Sequence, residues 1–138
     1  MTKPVSGDLW EYPYLWVRED ANGETEGRKS RPVVFAVVLE VLPSKTYLYI
    51  LPITGSEQDP SRDCLEIPRM EATQAGLDTD KRLWIVFDEH NRDTVEFSFY
   101  LNPSAKRQKR FSNAFTKRIA ARFLEAYTTK RSGLVDRQ

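Results

Sequence analysis

The run V-V-F-A-V-V-L-E-V-L at Val33 to Leu42, then P-S-K-T at Pro43 to Thr46, then Y-L-Y-I-L-P-I at Tyr47 to Ile53, decides the fold. The first run is apolar almost without interruption, which is how a central strand covered on both faces reads. Leu42-Pro43-Ser44-Lys45 supplies turn chemistry, so the two runs are expected to form a hairpin. Upstream, L-W-E-Y-P-Y-L-W-V at Leu9 to Val17 reads as an aromatic strand, with Pro13 placing it at an edge or a bulge. Arg18 to Ser30 is a long polar loop. Downstream, Thr54 to Asp63 is a second polar loop, and Cys64 to Ile67 is a short strand. Pro68 opens a helical turn through Gln74 that Gly76 stops. Leu83 to Phe87 reads as a buried strand, Asp88 to Asp93 as a turn rich in ionisable groups, and Val95 to Leu101 as an alternating strand. After a basic linker, Asn102 to Arg110, comes a helix over Phe111 to Tyr127. Its apolar stripe is Phe111, Phe115, Ile119, Phe123 and Tyr127, and Ser112 is its N-cap. Thr128 to Gln138 is expected to fray. The fold class is therefore mainly β with a terminal α-helix, a small and strongly curved antiparallel sheet or barrel.

At 138 residues the chain has the length of a single domain spanning 1–138, and 40% hydrophobic residues suffice for a core. The net charge of +1 conceals a split: residues 1–100 hold 11 basic and 18 acidic side chains, residues 101–138 hold 10 and 2. A basic arm thus follows an acidic body. One Cys excludes an internal disulfide and a multi-cysteine zinc site, and one His excludes a His-rich metal centre. No cofactor is expected. No signal peptide is read at the N-terminus, and the longest apolar run is too short for a bilayer, so a cytoplasmic protein is expected, with no membrane partner.

Three segments carry a family likeness: G-D-L-W at Gly7 to Trp10, G-R-K-S-R-P-V-V at Gly27 to Val34, and L-P-I-T-G-S at Leu51 to Ser56. In this order they resemble the PemK/MazF family of toxins from bacterial toxin–antitoxin pairs. The likeness covers roughly the first 60 residues best, and the first loop here is longer than usual in that family. It implies an SH3-like small β-barrel with appended helices, a homodimer, and a metal-independent endoribonuclease that cleaves single-stranded RNA and inhibits growth. It also implies a cognate antitoxin whose disordered tail covers the RNA groove.

Cleavage without a metal uses the RNA 2′-hydroxyl as nucleophile on the adjacent phosphate. The protein must then take a proton, stabilise a dianionic phosphorane and protonate the leaving 5′-oxygen. Arg31 matches the family's catalytic Arg, and a guanidinium fork suits phosphorane oxygens. The family's other catalytic residue maps onto Thr54, which otherwise simply ends a strand. A guanidinium is a poor base near neutral pH, which turns attention to Asp88-Glu89-His90-Asn91. Asp88 falls where some family members carry a catalytic Asp, although Val86 stands where those members place an Arg. His90 has the ordinary pKa for acid–base work.

In the family the Arg18–Ser30 loop gates the substrate. Arg28 and Lys29 are candidates to steer phosphates, opposed by Glu19, Asp20, Glu24 and Glu26. Ser56 is a candidate phosphate contact, while Gly55 and Ser56 also suit turn geometry. Trp10, Tyr14 and Trp16 can either stack bases or fill the core. Two other readings stand beside the nuclease. One is a non-catalytic barrel that binds an acidic protein or nucleic acid. The other, ranked lowest, is a gyrase-poisoning toxin of related fold, for which the chain end offers only Leu134 and Val135.

Overall fold

A computed structural model describes residues 4–24, 29–42, 44–56, 62–96 and 109–137. In chain order the elements are β1 (Leu9–Tyr12), α1 (Val17–Ala21), β2 (Arg31–Leu42), β3 (Lys45–Thr54), β4 (Cys64–Glu66), α2 (Arg69–Gln74), β5 (Trp84–Val86), β6 (Glu89–Thr94), α3 (Asn113–Thr128) and β7 (Gly133–Asp136). The sheet is mainly antiparallel, and a C-terminal helix packs on it.

β2 and β3 form the expected hairpin, with Val33 opposite Pro52 and Val38 opposite Leu48. Alternate side chains explain why the first half of β2 is apolar on both faces. Val34 and Ala36 join Leu9, Leu51, Ile85, Phe111, Phe115, Ile119 and Phe123 in a core beneath α3. Val33 and Phe35 face the other way, into Trp10, Tyr12, Tyr14, Trp16, Leu48 and Ile50. Over Val33–Ala36 both faces are covered, so neither is polar there, whereas Leu39, Glu40 and Val41 further along β2 are exposed. Phe35, Phe111 and Phe123 are fully buried, each stabilising by roughly 1.5–3 kcal/mol relative to exposure.

β3 is shared between two sets of partners. Tyr47–Ile50 pairs with β6, and Ile53–Thr54 pairs with β5, which continues to β4. At this fork the end of β3, Thr54 included, is past its pairing with β2 and pairs with β5. α3 buries Phe115, Ile119 and Phe123 of its apolar stripe, with Phe111 buried just ahead of it and Tyr127 exposed, and Ser112 Oγ accepts the Phe115 N–H at 3.1 Å as N-cap. α2 also lies where Pro68 and Gly76 place it. Among the described residues, no helix is long and apolar enough to cross a membrane.

Four sequence expectations are corrected. The first strand ends at Tyr12, and the supposed loop opens with α1, which no Ser, Thr, Asp or Asn announces. Instead Glu19 Oε1 accepts the Trp16 N–H at 3.1 Å, and Glu89 Oε1 accepts that of Val17 at 2.9 Å. Asp88 to Asp93 is no turn, because residues 89–94 form the buried strand β6. Most of its polar side chains are matched, while His90 Nε2 and Arg92 Nε are buried with no hydrogen-bond partner among the described residues. Tyr12 Oη donates to Asp93 at 2.7 Å, and Asn91 bonds both the N–H and the C=O of Leu15. Arg137 Nη1 adds a bond to Asn91 at 3.0 Å. Satisfied in this way, polar groups tolerate burial. The chain end does not fray, since β7 adds parallel to β6 and Arg137 is buried against Pro13 and Tyr12. Finally, Val95 and Glu96 turn away after β6, and the remainder of the expected strand to Leu101 lies outside the described residues.

The G-D start is architectural. Gly7 has φ +91°, and a Cβ there would lie 2.3 Å from Thr116 Oγ1 of α3. Asp8 is buried, accepts the Val5 N–H at 2.9 Å and faces Arg110 at 3.6 Å, so it ties the N-terminus to the lead-in of α3. Gly7→Ala should destabilise the fold by about 2–4 kcal/mol, from left-handed strain and overpacking together. Thermal denaturation checks this. Adding Thr116→Ala should recover the steric part only, so full recovery would show that φ carries no cost.

Candidate functional site

Arg31 opens β2 and Thr54 closes β3. Pairing in the hairpin ends at Val33–Pro52, and Arg31 and Thr54 lie two residues beyond it at the same end. There they line a cleft of about 440 Å³ together with Lys29, Ser30, Pro32, Gly55, Ser56, Asp78 and Lys81, floored by Ile53, Leu77 and Leu83. Lys29, Arg31, Thr54 and Ser56, candidates from separate stretches of sequence, thus meet in one place. The lining carries three cations and one carboxylate, a balance that favours an anionic ligand.

The Arg31 guanidinium lies 5.0 Å from the Trp16 ring centroid. Arg18 lies at the same distance from that ring, so one indole seats two like charges. Burial pulls the Arg31 pKa below its ordinary value, with Glu19 opposing and Arg18 reinforcing the shift. A guanidinium so lowered is still a cation at any physiological pH. Its Nε is buried with no hydrogen-bond partner among the described residues. An unsatisfied cationic donor beside a cleft favours an anion there. Thr54 Oγ1 accepts the Ser56 N–H at 3.1 Å, which fixes the turn and leaves the hydroxyl proton to donate.

Asp88 and His90 do not join this cleft. Asp88 is held by Arg62, through Nε at 2.9 Å and Nη2 at 2.5 Å, and Arg62 also reaches Glu89 at 3.1 Å. A carboxylate held by a two-pronged guanidinium is a structural anchor. His90 is fully buried among Tyr49, Phe123 and Tyr127, with Nδ1 2.8 Å from Ser132 Oγ. Desolvation, helped by nearby Arg92, pushes its pKa down to about 4. It is therefore a neutral core residue at neutral pH, which removes it as an acid–base candidate. Trp10, Tyr14 and Trp16 are also buried and fill the core instead of presenting faces for bases. Arg28 lies outside the described residues.

Two cleft residues escape a sequence reading. Asp78 and Lys81 sit in a polar connection between α2 and β5, distant in sequence from Arg31 and Thr54, and no motif marks them. Among the described residues no group of three or more His, Cys, Asp or Glu side chains is placed to hold a metal ion. No protein-family model matches the chain, and no curated protein matches it in sequence.

Proposed function

We propose that this chain is a metal-independent endoribonuclease of the PemK/MazF type, the toxin of a bacterial toxin–antitoxin pair, on an SH3-like barrel that works as a homodimer. The observation that carries this reading is the convergence of Lys29, Arg31, Thr54 and Ser56 on one cationic cleft. In the reaction, the 2′-oxygen attacks the adjacent phosphorus as the bond to the 5′-oxygen breaks. A 2′,3′-cyclic phosphate and a 5′-hydroxyl result. Arg31 forks onto the non-bridging oxygens, where negative charge grows, and Thr54 donates its hydroxyl proton to the same group. Asp78 is the one carboxylate that lines the cleft among the described residues, and it takes the 2′-proton. Lys29 is the ammonium available to the departing 5′-oxygen. A cognate antitoxin silences the enzyme by covering this cleft.

The test is incubation of long single-stranded RNA with the pure protein in EDTA. Discrete fragments ending in 2′,3′-cyclic phosphate and 5′-hydroxyl are expected. Thr54→Val keeps the strand-forming shape but removes the hydroxyl, and should slow cutting about 10²-fold. Intact RNA from folded, antitoxin-free protein overturns the reading. One observation favours the rival, a barrel that binds RNA or an acidic protein without cutting: both acid–base candidates from the sequence, Asp88 and His90, lie away from the cleft. Binding without cleavage would establish it.

A further inference from the structure

Gly55 stands in the cleft between Thr54 and Ser56, and its φ lies outside the left-handed region, so its backbone is one that any residue adopts. Turn geometry therefore does not require a glycine there. The space does. A Cβ on Gly55 would fall 2.8 Å from Cε of Lys81 and 3.0 Å from its Cδ and Nζ. The lysine stem lies flat across the missing side chain, and its ammonium is laid beside the Thr54–Ser56 turn.

Lys81 is exposed and makes no ion pair among the described residues, although other cations nearby do. Arg82, its neighbour, is held by Glu66 at 2.7 Å. Lys81 also lines a second cavity of about 280 Å³, which it shares with Arg69, Thr79 and Arg82 as well as Glu66 and Asp80. Lys81 and Leu83 line both cavities, and Lys81 is the charged one of the two, at the place where the central cleft meets its neighbour. A cation seated at such a junction, on a surface kept flat for it, suits the phosphate of a strand passing from one cavity to the next.

We infer that Lys81 is a phosphate-binding residue for single-stranded RNA, and that Gly55 is its positioning residue, glycine because the lysine stem occupies the place of a side chain. This rests on the proposed RNA reading and adds a contact that reading does not contain. The probe is a fluorescent single-stranded 2′-O-methyl RNA dodecamer, which carries the phosphates but cannot be cut. Its affinity is measured by anisotropy over a range of salt for wild type, Lys81→Ala, Gly55→Ala and the double variant.

Lys81→Ala should weaken binding about tenfold and flatten the slope of log K against log salt by about 0.7, as loss of one phosphate contact to a single strand does. Gly55→Ala should reproduce most of that loss with no fall in melting temperature, since it displaces only the far end of a flexible side chain. In the double variant it should add nothing, because its effect runs through Lys81. An unchanged salt slope in Lys81→Ala, or a Gly55→Ala loss that adds in the double variant, overturns the inference. Parallel assays on ordinary RNA separate the two readings. Cutting by wild type with an unchanged Lys81→Ala slope sinks the Lys81 assignment alone. The expected slopes without cutting sink the nuclease alone, and no binding by wild type sinks both.

Discussion

Arg31→Ala is expected to lower RNA cleavage at saturating substrate about 10³-fold, with the fold intact. The size follows from where the guanidinium sits. It is partly buried against Trp16 at 5.0 Å, and its Nε makes no hydrogen bond among the described residues. A preorganised donor facing developing charge in such a place is worth about 10²–10³ in rate, or about 3–4 kcal/mol of transition-state stabilisation. Stability should change much less, because a stacked cation contributes only about 0.5–1 kcal/mol at a partly exposed site. Arg31→Lys separates charge from shape. An ammonium keeps the charge but loses the planar fork, so it should recover only about tenfold of the deficit. The comparison is of single-turnover rates on a defined oligomer, with circular dichroism confirming folded variants. A rate for Arg31→Ala within tenfold of wild type would remove Arg31 from the centre of the reaction.

What the sequence could disclose divides along a physical line. The hairpin, α2, α3 and its Ser112 cap were legible because local rules govern them: periodicity, turn residues and an N-cap oxygen. Arg31 and Thr54 stood out as candidates in segments that follow one another along the chain, and both line one cleft. β6 was not legible. E-H-N-R-D-T has the composition of a turn, and only partners 76 or 81 positions away in the chain, Leu15 and Tyr12, make its burial tolerable. The same holds for β7, whose place depends on a free edge of β6. Asp78 and Lys81 were hidden for a third reason. They belong to an irregular connection, where no periodicity ties a residue to a face, and contacts made only in the fold place them in the cleft: Lys81 lies over Gly55, and Asp78 accepts the Asp80 N–H at 2.9 Å.

His90 has the clearest consequence for pH. Its pKa near 4 in the folded chain lies below the ordinary 6.5, because burial penalises the charged form and Arg92 adds to that penalty. The unfolded chain therefore binds a proton that the folded chain refuses. A depressed folded pKa means that the stability is fully present above pH 6.5 and is lost as pH falls towards 4. At about 1.36 kcal/mol per pH unit the loss across that window approaches roughly 3 kcal/mol. Carboxylates with ordinary values near 4 contribute mostly at the lower end of the window, so pH 6.5 to 4.5 isolates the histidine. His90→Leu keeps an apolar body among Tyr49, Phe123 and Tyr127 while giving up the contact with Ser132. It should cost some stability at pH 7.5, yet its urea midpoint should be nearly flat between pH 6.5 and 4.5. The wild-type midpoint should fall steeply over the same range. Parallel slopes for the two proteins would mean that His90 takes up its proton in the folded state, and that its ring is more open to water than its packing implies.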